Sequence, residues 1–76
     1  MNYKRRIKEL REDNEPKTTQ EDIAKLLKTT QQYYSQYENG KRPLPVEHLI
    51  TLCIFYNVSA DYILGFTNKK KPLPKD

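Results

Sequence analysis

The fold of this chain is decided by residues 19–41, which read TQEDIAKLLKTTQQYYSQYENGK. Thr19 and Asp22 have the spacing of a capping box at a helix start, and apolar residues then recur at the helical period. Thr30 is a favoured cap for a second helix, and Asn39-Gly40 is a favoured helix stop. The segment therefore predicts two short helices joined by a tight turn.

The second of these helices carries glutamines and no charge on one side, at Gln31, Gln32 and Gln36. A glutamine amide has a donor and an acceptor in the arrangement that adenine offers in the major groove, whereas charged side chains mostly seek phosphate. We interpret this face as a candidate reader of DNA base edges. The alternative is that these are ordinary surface residues at a helix start.

Composition limits the chain to one small domain. It has 76 residues and a net charge of +4, which favours a polyanionic partner without establishing one. The basic residues form three clusters: Lys4, Arg5, Arg6 and Lys8; Lys41 and Arg42; Lys69, Lys70, Lys71 and Lys75.

The chain lacks the residues that most catalytic or metal sites need. It has one cysteine, Cys53, one histidine, His48, and two glycines, too few for a disulfide, a metal cluster or a phosphate-binding glycine loop. We therefore predict that it is not an enzyme and has no cofactor or metal. No signal pattern or long apolar run is seen, so we expect a cytoplasmic protein that neither spans a membrane nor is secreted.

The flanking sequence predicts an all-α fold of five helices. A first amphipathic helix runs to about Asn14, and a short fifth helix lies between Ser59 and Gly65. The fourth helix ends at Asn57, and the residues expected to form its inward face are Val46, Leu49, Ile50, Cys53 and Tyr56, with Leu52 beside them. We place the folded domain at residues 1–66 and a flexible basic tail at residues 67–76.

Other apolar residues divide between core and surface. Tyr34 and Tyr37 lie opposite the glutamines and are expected in the core. The residues left over from the inward stripe, together with Ile50, predict an exposed apolar patch: Ile54, Phe55, Tyr62 and Phe66. Such patches usually mark contact surfaces. We favour a homodimer surface, with a slightly larger core as the alternative.

Together these motifs resemble the Cro/C1-type (xenobiotic-response-element, XRE) helix-turn-helix family over roughly residues 3–64. The most specific segment, residues 30–41, is close to that of lambdoid phage repressors. The resemblance implies a compact five-helix, lambda-repressor-like domain. Such domains dimerise on two-fold symmetric operators in double-stranded DNA and place the third helix in the major groove.

The resemblance also assigns roles to individual residues. It implies that Gln31, Gln32 and Gln36 read bases, and that Arg11 and Glu38 form a structural ion pair. For Tyr33 two interpretations stay open apart from the resemblance: it contacts the DNA by stacking on a backbone sugar or a thymine methyl, or it simply shields the helix. The remaining positions match residues that hold the DNA backbone: Gln20, Thr30, Asn39, Lys41 and Arg42.

Two departures from the family pattern affect expected structure. Lys28 occupies a turn position where the family usually has glycine, so we expect a turn of different shape. Tyr33, Tyr34 and Tyr37 replace smaller or aliphatic residues, and a buried tyrosine needs a partner for its hydroxyl.

The expected function is that of a sequence-specific transcriptional regulator, a repressor of bacterial or phage origin. One alternative is an antitoxin whose apolar patch binds a toxin and whose DNA binding is autoregulatory. The other is a protein-interaction module that does not bind DNA.

Overall fold

The computed structural model describes residues 3–70 and 72, and its regular structure over these residues is five α-helices, which confirms the all-α prediction. In chain order they are α1 (Tyr3–Asp13), α2 (Gln20–Leu26), α3 (Gln31–Glu38), α4 (Val46–Tyr56) and α5 (Ala60–Leu64). Over the same residues, no helix has both the length and the apolar character that a membrane span requires.

Side-chain caps fix where α2 and α3 begin. The Thr19 hydroxyl accepts from the Asp22 N–H at 3.1 Å, and the Asp22 carboxylate accepts from the Thr19 N–H at 3.0 Å. Both halves of the predicted capping box are therefore present. The Thr30 hydroxyl accepts from the Tyr33 N–H at 3.1 Å and starts α3 in the same way.

The turn between α2 and α3 places Lys28 in the left-handed region, with φ of 59°. The expected change in the shape of this turn is wrong, because the Lys28 backbone adopts the left-handed conformation that glycine usually provides at this position. Main-chain hydrogen bonds from Lys28 to Lys25 (3.1 Å) and from Thr29 to Ala24 (2.9 Å) close the end of α2. They hold a conformation that costs a residue with a side chain about 1 to 2 kcal/mol.

A small core lies where the five helices meet. Tyr34 and Tyr37 are fully buried in it, as expected, and their hydroxyls have partners. Tyr34 donates to Glu38 at 2.5 Å, and the Tyr37 hydroxyl lies 2.9 Å from Nδ1 of His48. The other buried apolar residues are Ile7, Leu10, Ile23, Ala24, Leu27, Leu52, Cys53, Val58 and Ile63.

The inward face of α4 is narrower than the predicted one. Val46 and Ile50 were expected to face the core, but they are 66% and 53% exposed. The other four expected residues do face the core: Leu52 and Cys53 are buried, and the partly buried Leu49 and Tyr56 pack against the core. These residues also recur at the helical period, so the apolar pattern of this helix fits two faces, and only packing distinguishes them.

Arg6 holds the chain beyond α5 against α1. Its guanidinium lies 4.2 Å from the centroid of the Tyr62 ring and donates to the carbonyl oxygens of Tyr62 and Thr67 and to Oδ1 of Asn68. Tyr62 is therefore partly buried rather than exposed, which corrects its expected place in the apolar patch. The domain boundary at residue 66 stays a prediction, and residues 71 and 73–76 of the tail lie outside the described residues.

A buried ion pair joins α1 to the end of α3. Arg11 donates to both carboxylate oxygens of Glu38, from Nε at 2.8 Å and from Nη2 at 3.1 Å. Glu38 also accepts from the Tyr34 hydroxyl and from Nε2 of Gln20 at 3.1 Å. The side chain of Glu38 is only 2% exposed and that of Arg11 12%, so this carboxylate links three helices away from water.

Burial and hydrogen bonding act in opposite directions on the pKa of Glu38. Burial raises it, but the hydrogen bonds from Arg11, Tyr34 and Gln20 together prevail, and the pKa lies below its ordinary value. Burial and the bond to Glu38 raise the pKa of Tyr34. The carboxylate is therefore ionised and the phenol protonated around neutral pH.

Replacement of Glu38 by glutamine tests this link. Glu38→Gln should lower the free energy of unfolding by about 2 to 4 kcal/mol at neutral pH, because the guanidinium of Arg11 loses its buried counter-ion. Since folding lowers the pKa of Glu38, its contribution is present above the ordinary value of 4.5 and is lost as the pH falls through the folded value. Urea titrations of both proteins at several pH values should show the difference between them shrinking in acid.

Glu9 provides the matched control, since its i,i+4 pair with Arg5 has side chains that are 46% and 75% exposed. Glu9→Gln should change stability by less than about 0.5 kcal/mol. Equal effects of the two substitutions would contradict a special role for Glu38.

Strain at Lys28 leads to a second prediction. Lys28→Gly should stabilise the domain by about 0.5 to 1 kcal/mol, because the steric strain that glycine avoids at a positive φ exceeds its greater loss of entropy on folding. Lys25→Gly, at an exposed position within α2, should instead destabilise it by about 1 kcal/mol. Thermal melts that move in the same direction for both variants would contradict a strained turn.

Candidate nucleic-acid interface

Helix α3 presents its glutamines on the side opposite its buried tyrosines. Because Tyr34 and Tyr37 point into the core, the helical period directs Gln32 and Gln36 outward. Gln31 and Gln32 are exposed, and Gln36 is half-buried. They line an open groove of about 360 Å³ together with Gln20, Asn39 and Lys41, among others.

Gln20 reaches this groove from α2. Its Nε2 donates to Glu38, so the buried ion pair also fixes a side chain at the edge of the groove. The carboxylate of Glu38, the one acidic residue of α3, is turned inward and paired. The outer face of α3 therefore carries amides and hydroxyls without negative charge.

Three side chains form a cluster on one flank of the amide face, and sequence reasoning did not detect it. Nε of Arg42 donates to Oε1 of Gln36 at 2.8 Å. The guanidinium carbon of Arg42 lies 4.2 Å from the centroid of the Tyr33 ring, which is 38% exposed. A cation over an aromatic face is attracted by the ring quadrupole, so Tyr33 and Gln36 together orient Arg42.

The turn after α3 brings further polar and basic groups to the same end of the helix. Nδ2 of Asn39 donates to Oγ of Ser35 at 3.2 Å, and Lys41 is exposed. Gly40 has φ of 74°, and a Cβ at this position would lie only 2.6 Å from Cδ and 2.9 Å from Nζ of Lys4. The ammonium of Lys4, which the sequence showed only as part of a terminal cluster, thus lies against this turn.

Contacts between α1 and the connector explain why Lys4 lies there. The Tyr3 hydroxyl accepts from the Leu44 N–H at 3.3 Å, which holds the start of α1 beside the segment that follows α3. Lys4 is the next residue along α1. A sequence pattern gives no signal for this contact because its two sides are separated by some 40 positions, and Lys4 itself resembles any solvated lysine.

The structure brings the predicted backbone-contact residues to the edges of the groove or near them. Thr30 lies at the start of α3, Asn39 and Lys41 at its end, and Gln20 across the groove on α2. Arg42 differs because its side chain is engaged with Gln36 and Tyr33. Over the described residues, no group of three or more His, Cys, Asp or Glu could hold a metal ion.

Helices α2 and α3 are both capped and are joined by a tight turn, and α3 presents amides to solvent. Within a five-helix domain, this arrangement defines a helix-turn-helix domain. The helix-turn-helix family model (HTH_3) matches residues 7–63, and the chain belongs to this family. The Cro/C1-type resemblance seen in the sequence is thereby confirmed.

The chain is also similar to a curated bacterial protein. It is 34% identical over 70 residues to YobD of Bacillus subtilis (strain 168), described as an uncharacterized HTH-type transcriptional regulator. The alignment covers 92% of this chain and 61% of YobD, so the chain spans about three fifths of that relative's length. No solved structure gives a significant match.

Proposed function

We propose that the chain is a sequence-specific DNA-binding transcriptional regulator that acts in the cytoplasm as a repressor and reads the major groove with α3. The observation that carries the proposal is the outer face of α3, where exposed amides lie beside a basic turn at the end of the helix and the one carboxylate of the helix is buried. Family membership and the similarity to a transcriptional regulator support it.

In the proposed interface, some residues recognise DNA bases and others bind the DNA backbone. Gln31 and Gln32 are exposed at the start of α3, where a recognition helix meets base edges. Thr30, Asn39 and Gln20 offer neutral polar groups to phosphates at the groove edges, and Lys41 with Lys4 offers positive charge. Affinity then comes largely from counterion release and selection from the amides.

We further propose that the domain binds a two-fold symmetric operator as a homodimer. Ile54 and Phe66 are each 67% exposed, and Phe55 is 42% exposed. Val46 and Ile50 extend the stripe of Ile54 at four-residue spacing along α4, so Val46 adds to the apolar surface that the sequence indicated. Pairing through this surface covers it and sets the two copies of α3 roughly 34 Å apart, one turn of B-DNA.

Gln32→Ala and Lys41→Ala should separate the two roles at the DNA. Gln32→Ala should cost about 1 to 3 kcal/mol on the preferred site and relax selection at one base pair, an A·T pair, with little change on random DNA. Lys41→Ala should weaken binding to both DNAs and lower the salt slope by about one unit for each phosphate that the protein no longer neutralises. Binding titrations of both variants on both DNAs at several salt concentrations measure these effects.

A result in which Gln32→Ala reduces affinity equally on every sequence would contradict reading by α3. A protein that retards no DNA at low salt would exclude the proposed function and leave a protein-interaction module.

Ile54→Lys should disrupt the proposed dimer, because a charge placed in an apolar contact must be desolvated. Sedimentation should show more monomer, and operator binding should be weaker with a steeper dependence on protein concentration. Leu26→Lys, at an exposed apolar residue of α2 outside the patch, should leave the sedimentation unchanged. A wild-type monomer that binds one half-site with full affinity would argue against the dimer and favour an antitoxin, whose patch covers a toxin.

A further inference from the structure

Arg42 lies beyond the end of α3, but the backbone folds it back onto that helix. The main-chain N–H groups of Lys41 and Arg42 both donate to the carbonyl of Gln36, at 2.9 and 3.3 Å. The chain therefore reverses over the last turn of α3 after Gly40. This reversal places the Arg42 side chain along the flank of the amide face.

Two contacts then hold the guanidinium. Its carbon lies over the Tyr33 ring at 4.2 Å, and its Nε donates to Oε1 of Gln36 at 2.8 Å. Neither contact uses Nη1 or Nη2. Over the described residues, these two nitrogens have no hydrogen-bond partner, so the terminal N–H groups of this exposed arginine are free to bind a ligand next to Gln36.

We propose that Arg42 reads a guanine in the major groove and that Tyr33 and Gln36 are positioning residues for it, an inference that rests on the proposed DNA-binding function. The planar fork of an arginine matches O6 and N7 of guanine, and this is the commonest base-specific contact. The free edge of Arg42 has the donors that such a contact requires.

The same geometry changes the expected role of Gln36. A glutamine that recognises adenine uses its oxygen to accept from the adenine amino group and its nitrogen to donate to N7. Here Oε1 of Gln36 is engaged by Arg42. Gln36 therefore acts through Arg42, and the base pair facing this part of α3 is a G·C pair.

A phosphate-holding arginine would not need this arrangement. A phosphate can be held by a flexible cation such as lysine, which acts as a point charge, and a phosphate contact carries no sequence information. Stacking and a side-chain hydrogen bond fix both the position and the rotation of the guanidinium, as bidentate recognition of a base edge requires.

The test removes N7 of guanine from the DNA. In the DNA sequence that the protein prefers, each guanine is replaced in turn by 7-deazaguanine, and affinity is measured by titration. For the wild-type protein, one such replacement in each half-site should lower affinity at least about 5-fold, the lower end of the range for a bidentate pair. In Arg42→Ala the same replacement should have less than about a 2-fold effect, since the two changes remove the same interaction.

Matched variants test the terminal N–H groups of Arg42 and the side chain of Tyr33 that positions them. Arg42→Met keeps an unbranched side chain but has no N–H donor and should also lose the 7-deazaguanine effect, whereas Lys41→Ala, which removes a charge from the same turn, should retain it. Tyr33→Phe keeps the ring and should retain the effect, and Tyr33→Leu should reduce it. If the effect is full in Arg42→Ala or Arg42→Met, or if no guanine shows it, Arg42 is not a reader.

These outcomes are distinct from failure of the proposed function. A protein that prefers no DNA sequence overturns both proposals together. A protein that has a preferred sequence in which no base depends on Arg42 overturns this inference alone.

Discussion

The buried carboxylate of Glu38 is the contact on which the arrangement of the first three helices depends. It accepts two hydrogen bonds from Arg11 of α1, one from Gln20 of α2 and one from Tyr34 of α3. Arg11 also donates to the carbonyl of Thr18 just before α2. A charge removed from water is tolerated only when such partners satisfy it, so the angles between these helices are closely constrained.

The same carboxylate shapes the proposed DNA surface. Because Glu38 faces inward, α3 presents no negative charge to a polyanion, and because Gln20 is bound to it, one edge of the groove is fixed. The opposite flank is fixed separately by Tyr33, Gln36 and Arg42. A recognition surface held from both sides needs little ordering on binding, which favours affinity and selection alike.

Sequence reasoning predicted most of the fold because local signals agree with one another. The Thr19 and Thr30 caps, the helix end at Asn57 and the stop at Gly65 each appear in the structure where the pattern indicated them. Two positions of α4, Val46 and Ile50, were wrongly expected to face the core and are exposed, because an apolar helix offers two stripes of the same period.

Long-range side-chain contacts could not be predicted in this way. Lys4 reaches the Gly40 turn, Arg6 covers Tyr62, and Arg42 stacks on Tyr33. Each basic side chain involved has the sequence signature of an ordinary solvated residue. The contact of Tyr3 with the connector at Leu44, the packing of α1 against α5 and the reversal of the chain after α3 bring these groups together.

Selection of bound sequences from a random pool of double-stranded DNA tests the central claim most directly. If α3 reads bases and the domain pairs through α4 and α5, the selected DNA should contain a two-fold symmetric motif. Its half-sites should be centred about 10 base pairs apart, one turn of B-DNA. A selected pool indistinguishable from the starting pool, at a salt concentration where the protein binds DNA, would contradict sequence reading by α3.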